Sequence, residues 1–143
     1  MGKAGVEAAE RDPVARLYVD VPLPHLDRPF DYLVPSTLDA VVQAGSRVRV
    51  RFAGRLVDAY VLERGAVSDH PGRLAFLERT VGEEPVLTAE TAGLFRAVAD
   101  RWAGNFVDVV RLGVPPRHAA AESSVRPPAG ELPPPPAGDG WAR

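Results

Sequence analysis

The sequence predicts a mainly β fold with α: a small antiparallel β-barrel of about five to six strands, followed by a short helical cap. Three observations predict it. Ser46 to Phe52, SRVRVRF, alternates strictly, so Val48, Val50 and Phe52 fall on one strand face and Arg47, Arg49 and Arg51 on the other. Ala53-Gly54 joins this run to Arg55–Glu63, RLVDAYVLE, and a two-residue link with Gly second between alternating runs marks a hairpin. After Thr88 the apolar spacing changes from that of a strand to that of a helix.

The elements follow in order. Residues 1–13 are polar, rich in Ala and Glu, and are expected to form a disordered N-terminal tail. Residues 14–21, VARLYVDV, alternate well enough for a first strand. Arg28 to Pro35, RPFDYLVP, reads as a short strand over Phe30–Val34, bounded by prolines because Pro removes a ladder donor. Thr37–Val42 is expected to be a turn or a short helical piece. Gly65 to Gly72 is a loop by its Gly, Pro, Ser and Asp content, and Leu74–Val81 is the expected last strand. The barrel thus spans about 14–82.

The helical part spans about 88–113. In Thr88–Trp102 the residues Leu94, Phe95, Val98 and Trp102 recur at helical spacing and are expected to pack on the barrel as core. Thr88 suits the N-cap, Glu90 the first turn and Gly104 the C′ position. A second, shorter helix starts at an Asn105 cap and stops at Gly113 with Pro115-Pro116. Residues 119–143 are rich in Pro and Ala and read as a disordered linker, with a longer protein expected beyond Arg143.

Composition narrows the function. Of 143 residues, the span 14–118 carries 13 acidic and 13 basic side chains, so it is neutral and does not coat a polyanion by bulk charge. Binding to nucleic acid then requires local segregation, and the Arg47/Arg49/Arg51/Arg55 group supplies it. Three guanidinium groups roughly 7 Å apart on one strand face repel one another unless an anion lies over them; the plainer reading is a solvated strand face. There is no Cys, which removes disulfides, thiol nucleophiles and Cys-based zinc sites. His25, His70 and His118 lie in loops without metal-ligand spacing, no GxxxxGK[ST] loop occurs, and no catalytic constellation is found. Asp58, in an apolar strand, is expected to pair with an Arg across the hairpin. No signal peptide and no membrane-length apolar run is present, which implies a soluble protein of the cytoplasm.

Four pieces in order, Val21-Pro22-Leu23-Pro24, the RPFDYLVP segment, Ala44-Gly45-Ser46-Arg47-Val48-Arg49-Val50, and a glycine turn followed by another apolar strand, resemble the N-terminal 3′ DNA-binding domain of the primosomal protein N′ (PriA) replication-restart family. The resemblance covers about Val14 to His118. It implies a DNA-binding, non-catalytic module that recognises the 3′ end of a strand at stalled or branched replication forks, near the nucleoid, alongside other primosome proteins. The zinc and ATP of that family belong to its helicase domains, so no cofactor is implied for this chain. The implied pocket comprises Phe30 and Asp31, with Gly54 in the turn; Tyr32 and the Arg47, Arg49, Arg51 and Arg55 group join the candidate DNA-binding residues on the reading of strand faces and local charge. A carboxylate only accepts hydrogen bonds, so Asp31 suits a terminal hydroxyl or a base amino group and not a phosphate.

The sequence departs from the family pattern in three places. Ala53 precedes the turn glycine, Arg51 replaces a frequent Pro, and Ala75 falls at a lysine position, with Arg73 on the same strand face as a substitute. Phe30 and Tyr32 read either as core or as stacking surfaces for a base. A different reading of the whole chain is an SH3-like barrel that binds a peptide, but such grooves need several exposed aromatics, and most of the ten here sit in apparent core positions.

Overall fold

In the computed structural model, which describes residues 5–102 and 104–114, the alternating runs form strands β1 (Val14–Val19), β2 (Phe30–Leu33), β3 (Arg47–Phe52), β4 (Arg55–Gly65) and β5 (Arg79–Thr80). Helices α1 (Ala89–Arg101) and α2 (Phe106–Gly113) follow. The strands form one antiparallel sheet in the order β2-β1-β4-β3-β5. The β3–β4 hairpin turns at Ala53 and Gly54, with φ of 50° and 78°, and Phe52 pairs with Arg55. Two positive φ values in a two-residue loop match the right-handed twist of the flanking strands.

β1 and β4 pair within the sheet, and β1 and the middle of β4 (residues 59–61) are buried on both faces. On one face Leu17, Val19, Val48, Val50, Val61 and Tyr32 build the main core. On the other, Tyr18 and Tyr60 are covered by Phe106 and Val110 of α2, with the Tyr18 and Phe106 rings stacked at 4.4 Å between centroids. A bulge shifts the register between Arg16 and Leu17, so that Arg16 faces Glu63 while Leu17 faces Val61.

The mainly β class with two helices stands, but the ladder itself is open. Residues Leu74–Val81 form a ladder over Arg79–Thr80 only, because the segment serves both edges of the sheet in turn. The Leu33 amide donates to the Ala75 carbonyl (2.8 Å) and the Leu77 amide to the Leu33 carbonyl (2.9 Å), a single parallel bridge to β2. From the next residue on, the segment turns to β3, where the Glu78 and Val81 amides donate to the carbonyls of Arg49 and Arg47. The curled sheet is drawn together by one crossing segment, not by a continuous closed ladder.

Two expectations need correction. The disordered N-terminal tail does not reach residue 13: the Ala9 amide donates to Val34, the Ser36 amide to Glu7, and Ala9 is buried. Arg64, at the end of β4, binds this segment by donating to the carbonyls of Asp12 and Arg11 (3.0 and 2.9 Å) as well as Asp39 and Val42. A guanidinium with five donors satisfies carbonyls from two chain segments at once, a clamp between residues far apart in sequence. The expected linker at 119–143 lies outside the described residues.

The second correction concerns α1. Leu94 (60% exposed), Val98 and Trp102 (78% exposed) face outward, and α1 instead buries Ala99 and leans Ala92 and Phe95 on α2. Small residues allow the two helices to approach, and the Gly113 backbone comes so near Phe95 that a Cβ would lie 2.3 Å from its ring. Thr88 caps α1 by accepting from the Thr91 amide (3.0 Å), as expected, and the Gly104 amide closes the other end on Ala99 (2.8 Å). Asn105 makes no capping bond to α2. Its first amide, on Phe106, donates to Asp27 Oδ1 (3.0 Å), and Arg96 of α1 donates to both Asp27 oxygens at 3.0 Å. Asp27 therefore joins both helices to the loop after β1.

Two outcomes follow from these contacts. A Cβ on Gly45, whose φ is 90°, would meet the Leu87 carbonyl oxygen at 1.9 Å. Gly45→Ala should cost more than about 2 kcal/mol from left-handed strain and backbone clash, read as a shift in the urea midpoint; an unshifted midpoint would contradict the packing described. For Asp27, partial burial pushes the carboxyl up, but the hydrogen bonds from Arg96 and the Phe106 amide, with the Arg96 charge, outweigh it and hold it below its ordinary value of 3.8. The stability it contributes is present above that ordinary value and is lost as pH falls through the lowered one. The stability gap between wild type and Asp27→Asn should accordingly narrow as pH is lowered from 6 towards 3 in urea titrations.

Candidate nucleic-acid interface

The β1–β2 register sets Arg16 directly opposite Asp31 and Leu17 opposite Phe30. Phe30 packs at the rim of the main core, in a T-shaped pair with Phe52 at 5.0 Å between centroids, with the Arg28 guanidinium 4.4 Å from its ring centroid. Asp31 points the opposite way. Its Oδ1 accepts from Arg16 Nε (3.3 Å) and its Oδ2 from the Ser68 hydroxyl. A cleft of about 570 Å³ opens there, lined by Phe30, Asp31 and Tyr32 together with Arg16, Arg28 and Arg73. The Asp31 side chain is only 10% exposed, so the carboxylate forms part of the cleft wall.

Tyr32 has a different task from base stacking. Its ring is buried in the main core, its hydroxyl donates to the Arg51 carbonyl (2.8 Å), and burial pushes its phenol above the usual value. It links β2 to the end of β3 and offers no free ring face to a base. Ala75 and Arg73 both line the cleft.

The arginines of β3 are less uniform than the alternation implies. Arg47 is buried against Tyr60, its guanidinium 5.6 Å from the ring centroid. Burial pushes the Tyr60 phenol up, offset in part by the Arg47 charge. Arg49 pairs with Asp58 at 2.8 Å, the cross-hairpin pair expected for Asp58, and exposed Arg51 approaches Glu78 at 3.6 Å. Self-repulsion along the strand is thus relieved by acids of the domain itself.

The eight candidate DNA-binding residues do not form one site. Phe30, Asp31 and Tyr32 share the first cleft; Arg47 and Arg49 line a second one, of about 560 Å³; Arg51, Gly54 and Arg55 lie along the hairpin end and line neither. Gly54 faces open space and is required by its φ, not by a close neighbour. Sequence reasoning missed Arg16 and Arg28 in the first cleft, Ser68 as the partner of Asp31, and Arg79 and Arg111 in the second cleft. Alternation alone places Arg16 opposite in face to Leu17, but its pairing with Asp31 depends on the strand register. Among the described residues no group of three or more His, Asp or Glu is placed to hold a metal ion, and no helix is long and apolar enough to cross a membrane.

Residues 16–115 match the family described as the 3′ DNA-binding domain (3′BD) of PriA. The chain belongs to this family. It is 57% identical over 103 residues to the probable replication restart protein PriA of Mycobacterium tuberculosis, covering 72% of this chain and 16% of that protein. Over 100 residues it is 55% identical to the corresponding protein of Mycobacterium leprae, covering 70% and 15%. With the replication restart protein PriA of Bacillus subtilis the identity is 34% over 88 residues, covering 61% and 11%. The chain spans about one sixth of the length of the curated relatives it matches first. The reading as a DNA-binding domain is therefore favoured over an SH3-like peptide-binding barrel.

The Arg49–Asp58 pair is about one third exposed on each side, so its loss should cost less than about 1 kcal/mol of stability. Asp58→Asn releases one cation. If Arg49 faces DNA, single-strand affinity should rise severalfold at low salt with a slope steeper by roughly 0.7 in log K against log salt. Fluorescence anisotropy checks this, and an unaltered slope would mean that Arg49 stands away from the strand.

Proposed function

We propose that the Phe30–Asp31 cleft receives the 3′-terminal nucleotide of a DNA strand, and that the chain acts as the end-recognition module of a replication-restart protein at stalled or branched forks. The observation that carries this reading is the placement of Asp31. It is an acceptor built into the cleft wall, fixed by Arg16 and Ser68, with Arg28 and Arg73 as further cations of the cleft. A carboxylate has about four lone-pair positions, and two are taken by the protein. The others accept from a terminal hydroxyl, while the surrounding guanidinium groups attract the phosphodiester that precedes it.

Phe30 forms the apolar part of the wall against which a terminal sugar or base rests. The module works by binding alone; unwinding, with its ATP and zinc, belongs to other domains of the parent protein, which acts in the cytoplasm at the nucleoid with other primosome proteins. Arg51 and Arg55, at the exposed hairpin end, provide a diffuse cationic approach for the strand.

Oligonucleotides ending in 3′-OH and in 3′-phosphate test the assignment. A hydrogen bond to a charged group contributes about 1.5–3 kcal/mol, so wild type should favour the hydroxyl end by roughly tenfold or more. Asp31→Ala should abolish or invert that preference, because it leaves Arg16 without its partner on β2 and ready to take a phosphate. Asp31→Asn should retain part of it through the amide oxygen. Equal wild-type affinity for the two ends would refute the end-recognition role.

A further inference from the structure

The second cleft shares no lining residue with the first. It lies between the outer face of the β3–β5 ladder and α2, and its volume of about 560 Å³ falls within the range of ligand sites. Arg47 and Arg49 of β3, Arg79 of β5 and Arg111 of α2 line it against two carboxylates, Asp20 and Asp58. The acids are already engaged: Asp58 by Arg49 at 2.8 Å and Asp20 by Arg111 at 2.7 Å. Four arginines against two aspartates thus line this cleft, in a sequence whose span 14–118 is neutral.

The register sharpens the point. Arg49 and Arg79 are direct partners across the β3–β5 pair. Side chains so placed stand about 5 Å apart at Cβ, and like charges there destabilise a sheet. The Arg79 side chain has no hydrogen-bond or ion-pair partner among the described residues. An anion between the two guanidinium groups removes the repulsion, and planar guanidinium forks match phosphate oxygens in geometry.

We infer that this cleft binds a backbone phosphate of a DNA strand, at a point separate from the 3′ terminus. The domain then has two contacts with DNA, one specific for an end and one for backbone charge. The inference rests on the DNA-binding reading but not on the Asp31 cleft, and a circular single strand separates the two because it has no end.

Wild type should bind a circular oligothymidylate, and Arg79→Ala should weaken that binding about threefold with a shallower salt slope, by roughly 0.7. Arg79→Glu should weaken it about tenfold or more, while Arg79→Lys, which keeps charge without the planar fork, should restore affinity in part. The ratio of affinities for 3′-OH and 3′-phosphate strands should stay at its wild-type value in all three. Thermal stability should hold or rise, because the charge facing Arg49 is removed. Wild-type affinity of Arg79→Glu for the circle would overturn the inference, as would a loss confined to strands with a free 3′-OH. Competition by inorganic phosphate or hexaglutamate as effective as that by the oligonucleotide at equal concentration would also overturn it, since the cleft would then be a general anion site. If the circle does not bind wild type while 3′-OH strands do, the backbone site is refuted and the end pocket survives.

Discussion

The structure depends on one constraint: β1 and β4, paired along the middle of the sheet, need apolar cover on both faces. The inner face is met mainly by strand residues, Leu17, Val19 and Val61 against Val48 and Val50, with Ala9, Val34, Val42 and Leu77 from the connecting segments. The outer face presents Tyr18 and Tyr60, and a five-stranded sheet has nothing left with which to cover them. α2 does so through Phe106, Val107 and Val110. The helices are therefore part of the domain's second core and not an appendage, although a barrel with a cap would allow either.

Holding the helices in place falls to a polar junction. Asp27 accepts from both ends of the Arg96 guanidinium and from the first amide of α2, so one carboxylate positions α1 and caps α2. The Asp27 bond to Arg96 keeps that guanidinium protonated well beyond its ordinary range, and Arg96 also lies over the Tyr18 and Phe106 rings. Bidentate, charge-assisted pairs of this type carry directional information that apolar packing lacks. This explains why α1 buries Ala99 instead of the Leu94–Val98–Trp102 stripe: the side that carries Arg96 must face the loop after β1.

Charge is handled in the same local manner. A neutral domain can still address a polyanion when its arginines outnumber acids at particular clefts, and the bulge in β4 illustrates the control. By shifting register it brings Glu63 next to Arg16, which already holds Asp31. Arg16 thereby orients the acid in the wall of the first cleft while its own charge is partly spent. Along β3, Asp58 and Glu78 do the same for Arg49 and Arg51, leaving the β5 side with the excess.

Strand alternation, the Ala53-Gly54 turn, the helical spacing after Thr88 and the order of the four resembling segments were all legible in the sequence, since each depends on residues close together along the chain. Period, turn conformation and capping are local physics. The family, and with it the DNA-binding role, was legible for the same reason. Only the tertiary structure decided how the arginines divide between two clefts, that Tyr32 is a core residue tied to Arg51, that residues 7–12 pack under Arg64, and which side of α1 is buried. Each of these depends on partners 15 or more residues away: Asp31 on Arg16 through strand register, Phe106 on Asp27 across 79 residues, Arg49 on Arg79 through an edge pairing. Alternation says which face a side chain takes; what stands opposite it is set by how the sheet closes and where the helices dock.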